Sequence, residues 1–197
     1  MTKSEKILEM ANNNNGYVTA NEVRKANINS TELTRLVKDK KLERVSRGIY
    51  CTPNSFYDEY YKIQSKSKNC IYSNATALYF YDLSDRTPIK IDLTVPIGYN
   101  GSLRRIKNID LHYVKKEYFE LGLTIIKSPF GMDIKIYDIE RTICDIIKNK
   151  KKMDIEIFTK ALQRYSRLKT KDLNKLMRYA KKLNVDKKVR EYMEVLI

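Results

Sequence analysis

The sequence predicts an α+β protein of two domains. The first is a winged helix-turn-helix over residues 1–52. The second, over residues 56–197, is a small, mostly antiparallel sheet at about 89–137 packed with a helical region at 138–197. Three observations point there. The first 52 residues read helix, helix, helix, hairpin. Period-two apolar runs cluster only in the middle of the chain, and amphipathic helices fill its last third. The 197 residues are 42% hydrophobic and 32% charged, enough apolar content for packed cores in two small domains.

In the first zone, Ile7, Leu8 and Ala11 mark the buried side of helix one. The run Asn12 to Asn15, ending in Gly16, stops that helix and turns the chain. Tyr17-Val18-Thr19 is a short extended piece. Thr19 and Glu22 have capping-box spacing, so helix two starts at about Ala20 and buries Val23 and Ala26. Asn27 to Asn29 form the turn, and Asn29 or Ser30 caps helix three, which runs to about Lys40.

Helix three is two-faced. Leu33, Leu36 and Val37 share one side by the i, i+3, i+4 rule. Thr31, Thr34, Arg35 and Lys38 share the other, with no acid among them. The stretch from Leu42 to Tyr50 then folds back on itself around a Ser46-Arg47-Gly48 tip, where Gly48 supplies a positive φ. Helix, strand, helix, turn, helix and a two-stranded wing suit DNA, because such a helix fits the major groove. In that reading Arg35 reaches guanine, Thr31 and Thr34 touch phosphate or thymine methyls, and Lys38 sits near phosphate. Arg44 and Arg47 face backbone or minor groove, with Ser46 beside them at the tip. A winged helix used only for protein contacts is the alternative.

The second zone opens with an aromatic-rich helix from Ser55 to Ile63, in which Tyr57, Tyr60 and Tyr61 recur at helical spacing. A helix capped by Ser73 follows, through Phe80. Strands are expected at Ile89–Val95, Ile109–Val114, Leu123–Lys127 and Ile134–Tyr137. The basic Gly98 to Arg105 loop reads as a solvated hairpin connection, with a grip on a polyanion as the alternative, and lacks a phosphate-binding G-K-[ST] motif. Asp138, Asp154, Thr170 and Asp186 each cap a helix in the last zone. Arg141 and Asp145, four apart, can pair on a side away from the Ile139, Ile143, Ile146, Ile147 stripe. The sheet is the expected packing partner of all these helices.

Charge narrows the function. There are 39 Lys and Arg against 24 Asp and Glu, a net +15. Residues 1–52 hold +4, residues 53–137 hold +3, and residues 138–197 hold +8, with Lys148 to Lys152 the densest positive stretch. Such a chain suits a polyanion partner. Cys51, Cys70 and Cys144 form no C-x-x-C, which argues against a disulfide scaffold or a cysteine zinc site. No run of about 18 apolar residues is present and the first residues are polar, so neither a membrane span nor a signal peptide is expected. A cytoplasmic protein without cofactor or metal is the expectation.

Catalytic patterns are sparse. The single histidine, His112, lies in a strand, and G-x-S-x-G is absent. The best enzymatic alternative is a metal-dependent nuclease, which needs two acids and a lysine on adjacent strands. Asp110 with Asp133-Ile134-Lys135 is the one candidate set. No catalytic residue is assigned, and a non-enzyme is expected.

Several blocks together resemble the AbiEi family, the antitoxin component of abortive-infection (type IV) toxin–antitoxin systems of phage defence. They are Gly16 to Val23, Leu33 to Val37, and Leu42 to Tyr50 with its R-G-I-Y wing. Ser73 to Leu78, Thr94-Val95-Pro96 and Glu140-Arg141-Thr142-Ile143-Cys144-Asp145 follow in the family's order. The resemblance implies a transcriptional repressor that binds double-stranded DNA at its own operon promoter. It implies a cognate nucleotidyltransferase-like toxin as functional partner, without a stable complex. It also implies that the C-terminal part carries antitoxin action.

Overall fold

A computed structural model describes residues 1–53, 55 and 58–196. Phe56 and Tyr57, part of the expected aromatic helix, lie outside the described residues. The chain divides into two compact units: residues 1–68 with 126–134, and residues 69–125 with 135–197.

The first unit begins with α1 (Lys3–Asn12), capped by a Thr2–Glu5 capping box. Strand β1 (Tyr17–Thr19) follows, then α2 (Ala20–Lys25), whose Thr19 and Glu22 make the expected reciprocal cap. Helix α3 spans Thr31–Lys38. Ser30 makes no side-chain cap there; Asn29 Oδ1 accepts from the Thr31 amide at 3.0 Å instead. Strands β2 (Glu43–Ser46) and β3 (Ile49–Cys51) form the wing, and β1 joins β3 to give an antiparallel sheet of order β1-β3-β2. Ser46 pairs with Ile49, so the tip is the two residues Arg47 and Gly48, with Gly48 at φ +78°. Two-residue turns of this kind need positive φ, which glycine supplies without strain.

One core holds the unit's helices. Ile7, Ala11, Val18, Val23, Ile28, Leu33, Leu36 and Leu42 are all buried in it. A second cluster joins Tyr17, Ile49 and Cys51 to Met132. This explains why residues 126–134 belong here; the unit also runs past residue 52 to Lys68. Asp58 caps α4 (Glu59–Ser65) by accepting from the Tyr61 amide at 2.9 Å, and its other oxygen accepts from the Ser128 hydroxyl. Tyr61 packs edge-on to Tyr17, ring centres 5.4 Å apart.

The second unit has strand β4 (Ile71–Tyr72), α5 (Asn74–Phe80), β5 (Ile91–Pro96), β6 (Ile109–Val114) and α6 (Lys116–Phe119). Strands β7 (Leu123–Lys127) and β8 (Asp133–Tyr137), whose residues 126–127 and 133–134 fall in the first unit's range, complete a five-stranded sheet of order β6-β5-β4-β8-β7. The α+β class holds, but the sheet is mixed. β4 and β5 run antiparallel, whereas β5 with β6 and β4 with β8 are parallel. The segment between β5 and β6 is therefore a crossover and not a hairpin. Parallel neighbours need a connection of about a dozen residues, which this segment provides. β4 is the strand the sequence reading lacked: two buried residues placed at the sheet's centre, just ahead of a helix. Ile89, expected inside a strand, is 98% exposed and precedes β5.

Four helices follow, α7 (Ile139–Lys148), α8 (Ile155–Arg167), α9 (Leu173–Lys182) and α10 (Asp186–Leu196). Their shared core takes side chains from α5 and from these four helices, with no strand residue in it. The partner of α8, α9 and α10 is thus α7, where the sequence suggested the sheet. Every residue of α7 from Glu140 to Ile147 is buried. Asp172, not Thr170, caps α9, accepting from the Lys175 amide at 2.8 Å.

The Glu140-to-Asp145 block explains itself in this packing. Arg141 is 1% exposed. Its Nε donates to both Asp145 oxygens at 3.0 and 3.1 Å, and one Nη donates to the Tyr118 and Leu121 carbonyls at 2.8 and 2.7 Å. The guanidinium lies 4.2 Å from the Tyr137 ring centre. Gly122, at φ +78°, leaves room: a Cβ there would stand 2.5 Å from the Arg141 Cβ. Glu140 accepts from the Asp172 amide and pairs with Lys175, tying α9 to α7. The Arg141–Asp145 pair, expected at a helix side facing away from the core, is buried because α7 is covered on all sides. Burial raises the Asp145 carboxyl against the pull of Arg141.

Burial also pushes the Cys70 and Cys144 thiols up to about 12, and raises Cys51 as well, with Glu43 adding to it. All three cysteines are buried. Since the thiolate is the reactive form, an aromatic disulfide reagent at pH 8 should leave the folded chain nearly untouched and modify all three thiols in denaturant. Rapid modification of the folded chain would contradict this packing.

Candidate nucleic-acid interface

α3 gets its polarity from its sequence. Leu33 and Leu36 are 0% and 1% exposed, anchoring the helix on α1 and α2. Ser4 of α1 donates to Glu32 at 2.8 Å, so the first acid of α3 is turned toward α1. On the other side, Thr31, Thr34, Arg35 and Lys38 are all exposed. The Arg35 side chain is 69% exposed and 3.9 Å from Asp39. An exposed i,i+4 pair of that kind is worth only about 0.3–0.5 kcal/mol, little resistance to a competing phosphate or base.

The wing adds Arg44 and Arg47, both exposed. The register of β2 slips between Arg44 and Ser46, a bulge that re-aims neighbouring side chains. Ser46 is half-buried, its hydroxyl 3.1 Å from that of Ser65, and so is engaged within the unit. Thus α3 presents four of the seven expected contact residues on one exposed face, and the wing presents two more as exposed cations. Sequence reasoning passed over Lys40 and Lys41, exposed just beyond α3, and Arg24 and Lys25, exposed in the last turn of α2. A plain count of cations around the helix-turn-helix would have included them.

Among the described residues the candidate nuclease set is not brought together on adjacent strands. Asp110 is on β6 and Asp133 and Lys135 are on β8, with β5 and β4 between those strands in the sheet. Asp110 pairs with Lys90 at 3.0 Å and Asp133 with Lys127 at 2.7 Å. Among the described residues, no group of three or more His, Cys, Asp or Glu is placed to hold a metal ion. None of the described helices is long and apolar enough to cross a membrane.

The crystal structure of the RV2827C protein from Mycobacterium tuberculosis is similar, at 10% identity and a TM-score of 0.49, over 98% of this chain and 81% of that one. No curated protein matches the sequence. Residues 5–53, which span α1 to β3, match a family of transcriptional regulators, the AbiEi antitoxins.

Proposed function

We propose that the chain is a DNA-binding transcriptional autorepressor and the antitoxin of a type IV toxin–antitoxin system, acting in the cytoplasm against a nucleotidyltransferase-like toxin. It binds and does not catalyse. The observation that carries this reading is the coincidence of the regulator-family match at residues 5–53 with a helix-turn-helix and wing bearing exposed Arg35, Lys38, Arg44 and Arg47. Four cations on such a surface supply phosphate attraction, and Arg35 with Thr31 and Thr34 supplies base contacts. In this reading, residues 1–52 contact the promoter and residues 56–197 carry antitoxin action, without a stable complex with the toxin.

A two-part cell assay tests it. A reporter driven by the chain's own promoter should be repressed by the wild type supplied in trans. The variant Arg35→Ala/Lys38→Ala/Arg44→Ala/Arg47→Ala removes only exposed side chains and should derepress it at least tenfold. The same variant, made from an unrelated promoter, should still protect cells from a toxin held at fixed expression. Undiminished repression by the variant would refute the DNA-binding surface. Lost protection would tie antitoxin action to that surface and refute the division of labour.

A further inference from the structure

The second unit contains a cavity of about 290 Å³ that the DNA-binding reading leaves unused. It lies between the β5–β6 pair and the C-terminal half of α7, and all its lining residues belong to this unit. That volume is at the lower end of the roughly 300–1,000 Å³ typical of small-molecule sites.

The lining is ordered by chemistry. Asn74, 2% exposed, accepts from Asn149 Nδ2 at 3.0 Å and donates to Ser73 at 3.2 Å. Each amide still has hydrogen-bonding capacity after these bonds: a second N–H on each, and the Asn149 oxygen. Asn74 also holds φ +45° at the first position of α5. A non-glycine residue in that region costs energy that the surrounding structure must offset, a feature common at ligand clamps. Next to it, Thr94 is 3% exposed and His112 has Nε2 2.6 Å from Asp92. The parallel register sets Thr94 beside His112, so both stand on one face.

Net charge decides the ligand's sign. Arg141 and Asp145 line the cavity but cancel each other through the Nε contact to both carboxylate oxygens. What remains is Lys148 and Lys152, both exposed and in no ion pair among the described residues. They are two of the four cations of the connector that stood out as the densest positive stretch in the sequence. Lys148 also offsets the carbonyl end of α7, where a helix alone would repel an anion. Leu111, Val114 and Leu183 supply apolar wall.

An apolar wall, an amide pair with spare donors and acceptors, and two unpaired ammonium groups at the rim complement a ring with a polar edge and a phosphate. We propose that this cavity binds a nucleoside monophosphate, with Lys148 and Lys152 on the phosphate and Asn74 and Asn149 on the polar edge of the nucleoside.

Isothermal titration of the full chain with AMP, GMP, CMP and UMP tests this, with inorganic phosphate as a fifth probe. At least one nucleotide should bind once per chain with a Kd below about 1 mM. Lys148→Ala/Lys152→Ala should weaken it at least tenfold, and its thermal melt should match the wild type because both side chains are exposed. Lys187→Ala/Lys188→Ala, removing two exposed lysines of α10, should leave the affinity unchanged. Three results would overturn the proposal: no saturable binding by any nucleotide, equal loss in both lysine variants, or inorganic phosphate binding as tightly as the nucleotides.

Discussion

Arg141→Ala is expected to cost the chain about 3–5 kcal/mol of stability, the usual result of removing one member of a buried ion pair. The substitution leaves the Asp145 carboxylate buried without its counter-charge, and the Tyr118 and Leu121 carbonyls without their donor. It also opens a void above the Tyr137 ring. Arg141→Met/Asp145→Leu removes both charges and keeps most of the volume, so it should recover a large part of the loss, because paired buried charges contribute little net stability. Urea titration reads both as shifts of midpoint at constant slope. A single variant as stable as the wild type would mean that the guanidinium is solvated in solution.

Leu36→Ala should cost about 2–5 kcal/mol, the range for a buried leucine whose site does not collapse. Leu36 is 1% exposed among Ile7, Ala11, Val23, Leu33 and Leu42. Thr34→Ala, two residues away on the exposed face, should stay within about 0.5 kcal/mol of the wild type. The contrast tests which side of α3 faces solvent, and comparable losses at the two positions would contradict the orientation on which the DNA-binding reading depends.

The first unit was legible because its signals are local. The Thr19–Glu22 cap, the Leu33-Leu36-Val37 face and Gly48 at the wing tip each act within a few residues, and each stands where the pattern indicates. The ties made across the chain, β1 to β3 and Met132 to Tyr17 and Ile49, escaped it, and with them the unit's extension to Lys68. The second unit depends on long-range pairing. A two-residue strand such as β4 carries no periodicity, and nothing in an alternating strand such as β5 says whether its neighbour is parallel. Arg141 and Asp145 show the same limit: an i,i+4 pair looks alike in sequence whether it is solvated or surrounded by helices. The cavity was illegible for that reason too, since Asn74, Thr94, His112 and Asn149 come from four separate stretches of chain. Sequence marked only its rim, as the lysine run from Lys148 to Lys152.

The central claim is that α3 reads base sequence in the chain's own promoter. Fluorescence anisotropy at one fixed salt concentration, with promoter DNA and a scrambled duplex of equal length, tests it most directly. The wild type should prefer the promoter by at least about a thousandfold, the lower end for specific binders. Arg35→Ala should lose about 1–3 kcal/mol on the promoter, the value of one bidentate base contact, and far less on the scrambled duplex. Equal affinity of the wild type for both duplexes, or an equal loss by Arg35→Ala on both, would contradict the claim.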